Sequence, residues 1–220
     1  GDIEAGPAAW RGQGVDIAIG KAIEKQEFSE IEYIHLAEKI FIEKFQTAKD
    51  LYDQKKIEKE KQNIKKYVSN GLKFYKSIKE KPSEIQGKII INIDEIDIPF
   101  IGYFDLMYKN IVRDIKTVGK TTNKLSEAHC RQVSIYSLAI KKEPWIDYIS
   151  TTSVKSFRVE NIKYWINQIK IASKSLEKVL SYSDDILECC QLVYPDFDHW
   201  MWNDKMKKAA HDIWKINNKT

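Results

Sequence analysis

The chain has 220 residues, which is enough for one domain of ordinary size with a sizeable core. A content of 43% hydrophobic and 31% charged residues is typical of a globular protein, and no apolar run approaches the ~20 residues of a membrane-spanning helix. The net charge of +4 permits nucleic-acid binding but does not argue for it.

The N-terminal part of the chain is predicted to be helical. The first residues, GDIEAGPAAW, look like a loop. Apolar residues then recur at helical spacing from Gly14 to about Lys25, and again from Ser29 towards Phe45. The lysine- and glutamate-rich segment 48–79 predicts a solvated helix with a break near Gly71.

After Pro82 the spacing of apolar residues changes from that of a helix to that of a strand. The segments GKIIINID and IPFIGYFDLMYK predict two strands joined by a hairpin whose tip is EID. After a turn at Asn110, IVRDIKTV predicts a third strand. Ser126 is placed to cap a helix that runs to about Lys142 and is stopped by Pro144.

The C-terminal part returns to helix. WIDYISTTSVKSFRVE supplies one or two more strands, and a long amphipathic helix covers about Ile162 to Tyr182 before a helical, aromatic tail. This order of elements predicts an α/β fold with a central mixed sheet flanked by helices. We expect a single domain over residues 1–220, with its core at about 85–160 and helical parts at 14–80 and 161–220.

Two carboxylates and an ammonium interrupt the second and third predicted strands. Asp114 and Lys116 are two residues apart and share one face, whereas Ile115 points into the core. The turn at Asn110 can bring Asp105 alongside them. Such oxygens suit a hard divalent cation, and a lysine beside it can orient a water that attacks a phosphodiester. The alternative is a solvent-facing ion pair between Asp114 and Lys116.

Three motifs in order carry a family resemblance. GYFD followed by RDIKT resembles the Gly-x-x-Asp … Asp-x-Lys-Thr core of the PD-(D/E)XK nuclease superfamily, in its RecB-like, phage-type exonuclease branch. RQVSIY resembles the Gln-x-x-x-Tyr motif of that branch, and RGQGVDIAI resembles its first-helix motif. The match spans roughly residues 10 to 140, and it implies a restriction-endonuclease-like core.

The resemblance assigns a role to each matching position. Asp105 and Asp114 match the metal carboxylates, Ile115 matches the residue that lends its backbone carbonyl, and Lys116 matches the catalytic lysine. Asp16 falls where the family often has histidine, and an aspartate there still suits Mg²⁺ or Mn²⁺. A solvated residue on an amphipathic helix is the alternative for Asp16.

A further group of residues is expected to contact DNA. Gln132 and Tyr136 match positions that touch DNA or shape the site, and their i,i+4 spacing puts them on one helix face. Arg11, Lys120 and Arg131 surround the predicted pocket and could contact phosphates.

The cysteines argue against two kinds of site. Cys130, Cys189 and Cys190 cannot form a disulfide framework. Some RecB-like nucleases carry a four-cysteine iron–sulfur cluster, but number and spacing do not fit one here, and we expect none. With no signal peptide recognised, the odd cysteine count favours a reducing, cytoplasmic location.

Two functions from different classes remain open. The first is a Mg²⁺- or Mn²⁺-dependent deoxyribonuclease that leaves 5′-phosphates, by the resemblance an exonuclease in recombination, repair or phage DNA processing. An endonuclease with the same core is its variant, and a non-catalytic nucleic-acid-binding module is the second function. The expected partners are DNA, a single-strand annealing or other recombination protein, and further copies of the chain, but no membrane.

Overall fold

The computed structural model describes residues 6–48, 52–120, 122–197, 202 and 204–214. These residues form seven helices and one five-stranded sheet. The helices are α1 (Pro7–Lys25), α2 (Glu30–Thr47), α3 (Gln54–Ser77), α4 (Glu127–Ile140), α5 (Ile162–Leu180), α6 (Ile186–Cys190) and α7 (Asp204–Ile213). The strands are β1 (Glu84–Ile91), β2 (Phe100–Met107), β3 (Ile111–Thr117), β4 (Glu143–Ile149) and β5 (Val154–Arg158).

The chain divides into two compact units. One unit is formed by Glu4–Gln168, and the other includes Ile169–Thr220, so that the boundary falls within α5. The sheet and helices α1 to α4 belong to the first unit. No helix in the described part of the chain is long and apolar enough to cross a membrane.

The sheet is mixed, with the strand order β1-β2-β3-β4-β5. Only β3 and β4 are parallel, and α4 makes the crossover between them. One face of the sheet packs against α1 and α3, in a core that includes Leu106 and Ile115, and the other face packs against α4, in a core that includes Ile146. The predicted α/β architecture, a mixed sheet flanked by helices, is confirmed.

The N-terminal helices pack closely because small residues lie where they cross. A Cβ atom on Gly71 would lie 2.3 Å from Ile19 Cδ1, so a larger residue there would displace the end of the Ile19 side chain. The helix therefore continues through Gly71 instead of breaking there. The chain start also differs from the prediction, because Pro7 opens α1 in the first turn, where its missing N–H costs nothing.

Pro144 lies inside β4 and not merely after a helix. Helix α4 ends at Ile140, where Lys141 takes a left-handed conformation with φ 54°. Pro144 then pairs in register with Val112, and its carbonyl accepts a hydrogen bond from Val159 N–H. The helix thus ends before Pro144, as the sequence predicts, and the proline itself is the second residue of a strand, a position where it is tolerated.

Candidate active site

Strands β2 and β3 separate at the point where their carboxylates lie. Their pairing is limited to Leu106 with Arg113 and Met107 with Val112. Beyond that point the carboxylate of Asp105 accepts a hydrogen bond from Ile115 N–H at 2.5 Å. A side-chain oxygen thus takes the place of a strand carbonyl, and this exchange holds Asp105 in the gap between the strands.

The backbone carbonyl of Ile115 faces the same gap. In a β-strand the N–H and C=O of one residue point to the same side, and the N–H of Ile115 points to Asp105. The side chain of Ile115 is buried among the N-terminal helices. This residue therefore offers an oxygen to the gap with its backbone while its side chain anchors the strand.

Asp114 and Lys116 form a partly buried ion pair on the face of β3 that carries α4. Lys116 Nζ lies 2.8 Å from Asp114 Oδ2, and the two side chains are 25% and 2% exposed. Asp114 Oδ2 is buried, and the Lys116 ammonium supplies its counter-charge.

Asp16 of α1 is the third carboxylate at this place. Gln86 Nε2 donates a hydrogen bond to Asp16 Oδ2 at 3.4 Å. The carboxyl groups of Asp16 and Asp105 are close enough to shift each other's pKa.

Burial and mutual repulsion make all three carboxylates weak acids. Burial and the charge of Asp114 raise the pKa of Asp16 from 3.8 to about 6. Burial, Asp16 and Asp114 raise the pKa of Asp105 well above its usual range. Burial also raises the pKa of Asp114, although Lys116 opposes the shift. A cation placed here would relieve this repulsion.

Lys116 is held as an ammonium ion. Burial lowers its pKa, but the attraction of Asp114 and Asp105 outweighs burial, and the net pKa is raised. A lysine in this state donates hydrogen bonds and supplies positive charge, and it does not act as a proton acceptor.

The side of the site next to α4 is built by Gln132 and Tyr136. Gln132 Nε2 donates to Tyr136 Oη at 2.6 Å, so the two predicted residues form one hydrogen-bonded pair. A Cβ atom on Gly102 would lie 2.7 Å from Tyr136 Cε1, so the glycine of GYFD gives this ring its room. Burial and the charge of Asp114 raise the pKa of Tyr136 to about 12, which keeps its hydroxyl protonated.

Of the three basic side chains predicted to contact DNA, Arg11 is turned inwards. It is 5% exposed, its guanidinium pairs with Glu60, and it stacks 4.4 Å from the centre of the Tyr67 ring. A second nitrogen donates to Thr117 Oγ1 at 3.2 Å. Arg11 thus ties α1 to α3 and to the end of β3, with no charge left for a phosphate on the surface.

The other two basic residues lie nearer the surface. Lys120 is exposed in the turn after β3. Arg131 of α4 is 37% exposed and pairs with Glu127 at 3.3 Å and with Gln168 at 2.9 Å. The structure places neither of them in direct contact with the three carboxylates.

His129 and Tyr148 are neighbours of the site that the motifs did not single out for it. Ser126 N–H donates to Tyr148 Oη at 3.1 Å, and His129 Nδ1 lies 2.8 Å from the same oxygen. A hydrogen bond thus joins the imidazole to the tyrosine hydroxyl. Burial and the charge of Lys116 lower the pKa of His129 to about 4. The imidazole of His129 is therefore neutral at physiological pH.

A buried polar network fixes the opposite face of β3. Arg113 Nη1 donates to Asp147 Oδ1 at 2.8 Å, Ser156 Oγ donates to the same oxygen at 2.5 Å, and Tyr75 Oη donates to Oδ2 at 2.6 Å. Asp147 is fully buried and lies in register with Ile115. Sequence reasoning missed this network because Arg113 and Tyr75 are 34 and 72 residues from Asp147 in the chain.

The chemistry of the donor set fits a hard divalent cation. In the described residues, no group of three or more His, Cys, Asp or Glu side chains is drawn closely enough together to hold a metal ion. The carboxyl groups of Asp16, Asp105 and Asp114 are nevertheless close enough for Asp114 to raise the pKa of the other two, and Asp114 Oδ2 is paired with Lys116. Carboxylate and carbonyl oxygens are the ligands that Mg²⁺ and Mn²⁺ prefer.

The three cysteines are divided between the two units. Cys130 is a buried residue of α4, whereas Cys189 and Cys190 are on α6 in the other unit. In that unit Trp202 packs against Phe197, with ring centres 5.2 Å apart, and Trp200 lies outside the described residues.

Comparison with known proteins adds little to this geometry. No family model and no curated protein matches the chain. Among solved structures, the crystal structure of SSO0001 shares 18% identity and a TM-score of 0.33, over 40% of this chain. The match spans 49% of that chain, about half its length. A likeness this slight carries no argument about fold or function.

Proposed function

We propose that the protein is a Mg²⁺- or Mn²⁺-dependent deoxyribonuclease. The observation that carries the proposal is the set of Asp16, Asp105 and Asp114 in the gap between β2 and β3, with Lys116 paired to Asp114. A protein that only bound DNA would not gather three carboxylates at the place where phosphates approach, because they repel them.

Each residue has a defined task in hydrolysis. Asp16, Asp105, Asp114 and the carbonyl of Ile115 would hold the metal. When bound, the cation would lower the pKa of a water molecule and neutralise charge on the scissile phosphate. The Lys116 ammonium would donate hydrogen bonds to the attacking water or to a phosphate oxygen, on which charge increases in the transition state.

The reaction balances with water alone. The water oxygen forms a bond to phosphorus as the bond to the 3′-oxygen breaks. The water gives up its proton, the leaving 3′-oxygen takes one from solvent, and the products are a 5′-phosphate and a 3′-hydroxyl. The motif resemblance extends the proposal to digestion from a DNA end, in a cytoplasmic protein of recombination or repair that works beside a single-strand annealing protein.

Cleavage of end-labelled linear DNA tests the proposal. Single- and double-stranded substrates are incubated with Mg²⁺, Mn²⁺ or EDTA, and closed circular DNA is run in parallel. We expect metal-dependent loss of linear DNA with circles spared, and a loss of about 100-fold or more in rate for Lys116→Ala. Lys44→Ala, which removes an exposed lysine on α2, is the matched control.

Each other outcome has a distinct meaning. Cleavage of circles would favour an endonuclease with the same core. Intact linear DNA that is retarded in a gel would replace the nuclease proposal with the binding module. Cleavage that persists in Lys116→Ala would place the chemistry elsewhere in the chain.

A further inference from the structure

The hairpin of β1 and β2 presents an apolar face next to the candidate site. In the antiparallel register Lys88 lies opposite Tyr103, and Ile90 lies opposite Ile101, so these four side chains share one face. We call this set the hairpin face. The alternating residues Gly102 and Phe104 point the other way, against Tyr136 and the α4 core.

The hairpin face is unusually exposed for a set of large, mostly apolar side chains. Ile90 is 62% exposed, Ile101 is 59% exposed and Tyr103 is 60% exposed, and Ile98 in the adjoining loop is 58% exposed. Further along the hairpin, Gln86 follows the same alternation as Lys88, and it donates a hydrogen bond to Asp16 of α1. Contiguous exposed apolar side chains next to a polar site mark a binding surface more often than chance exposure.

This face begins where the three carboxylates end. Tyr103 is two residues from Asp105 along β2, a distance of about 7 Å at the rise of a strand. On the neighbouring strand Lys88 is two residues from Gln86, which donates to Asp16. A strand of DNA with its scissile phosphate at Asp105 would therefore reach the hairpin face within one or two nucleotides.

We propose that the hairpin face holds unpaired bases of the DNA strand beside the scissile phosphate, an inference that rests on the proposed nuclease function. The Tyr103 ring would stack on a base, Ile90 and Ile101 would lie beneath the next one, and Lys88 would pair with the connecting phosphate. An aromatic ring takes such a base only where pairing is open. The substrate class is accordingly single-stranded DNA or a duplex end whose terminal bases have separated.

Two features favour DNA over a second copy of the chain as the partner of the hairpin face. The face adjoins the carboxylates, and it carries the cation Lys88. An apolar protein surface would not need Lys88 directly opposite Tyr103, since burying that ammonium in a dimer is costly. Beside a phosphate the same lysine is favourable.

Fluorescence anisotropy with a labelled oligo(dT) in EDTA tests the inference without cleavage. Tyr103→Ala is expected to weaken binding by about 5- to 150-fold, and Tyr103→Phe, which keeps the ring, is expected to stay within about twofold of the wild type. With an oligonucleotide that carries abasic residues, the wild type and Tyr103→Ala should bind alike. A merely structural effect of the substitution would not vanish when the bases are removed.

Tyr182→Ala is the matched control, because it removes a tyrosine that is 64% exposed in the other unit. Equal affinities for Tyr103→Ala and Tyr182→Ala would overturn the inference. So would sedimentation that shows a wild-type dimer dissociated by Ile101→Ser with no change in DNA affinity, since the face would then serve self-association.

The metal-dependent cleavage assay separates the two proposals. If the wild type cleaves DNA while Tyr103→Ala binds oligo(dT) normally, the nuclease function stands and the hairpin inference is overturned. If no cleavage occurs but base-dependent binding through Tyr103 persists, the nuclease proposal fails and the hairpin face is confirmed as a surface for unpaired bases.

Discussion

Replacing Asp16 with asparagine is expected to stabilise the metal-free protein at neutral pH. Burial and the neighbouring Asp114 raise the pKa of Asp16 from 3.8 to about 6, a shift of about two units. Each unit corresponds to about 1.36 kcal/mol, so the ionised Asp16 costs the folded state up to about 3 kcal/mol. Asparagine removes the charge but can still accept the hydrogen bond from Gln86.

The sign of the pH dependence follows from proton binding. The folded protein binds the Asp16 proton more tightly than the unfolded chain does, so stability falls as the pH rises from about 4 to about 6. Below this range both states are protonated, and above it both are ionised. The free energies of unfolding of the wild type and Asp16→Asn should therefore agree at about pH 4 and differ by up to about 3 kcal/mol at about pH 8.

Urea unfolding in EDTA across this pH range measures the difference directly. Asp94→Asn, which removes an exposed carboxylate in the loop between β1 and β2, serves as the control and should follow the wild type. If Asp16→Asn is less stable than the wild type at about pH 8, or if the difference between the two does not change with pH, the reasoning about repulsion among these carboxylates is refuted.

Three further predictions concern the metal, the buried network and the glycine of GYFD. Mn²⁺ at about a hundred times its Kd should raise the free energy of unfolding by about 2.7 kcal/mol relative to the protein in EDTA. The gain should be smaller below about pH 6, because the carboxylate ligands must lose protons to bind the metal. A gain that is equal at all pH values would contradict this prediction. Asp147→Asn should lower the free energy of unfolding, measured in urea, by about 3–5 kcal/mol, because Arg113 is left buried without its counter-charge. A loss of less than about 1 kcal/mol would disprove this prediction. Gly102→Ala should slow DNA cleavage by displacing the Tyr136 ring, 2.7 Å from the new Cβ, whereas Gly119→Ala, with nothing within 4 Å, should not.

Local patterns were sufficient to predict the elements that carry the candidate site. The alternation around Asp114 and Lys116 predicted a strand, the turn at Asn110 predicted its antiparallel neighbour, and both are present. These signals are short-range, because two residues on one face or four residues in one turn are set by backbone geometry alone. The α/β architecture followed from the order of such elements.

Long-range partners were not predictable in the same way. Arg11 looks like a surface cation in the sequence, yet Glu60, which lies 49 residues away, turns it inwards. Asp147 reads as an ordinary polar residue in a strand, and only the fold brings Tyr75 and Arg113 to it. The pairing of a buried charge depends on which elements meet, and that information is absent from any local window.

The two faces of β3 have different roles in the candidate site: one anchors the strand, and the other carries the charged side chains. On one face Arg113 is locked by the buried Asp147 network, and Ile115 is anchored in the core of the N-terminal helices. On the other face the buried Asp114 pairs with Lys116 and repels Asp16 and Asp105. Because successive residues of one strand cannot move independently, the rigid face holds the charged face in place against its own repulsion. A strand fixed on one side only would let these carboxylates drift apart, and the metal would then have to supply the ordering free energy itself.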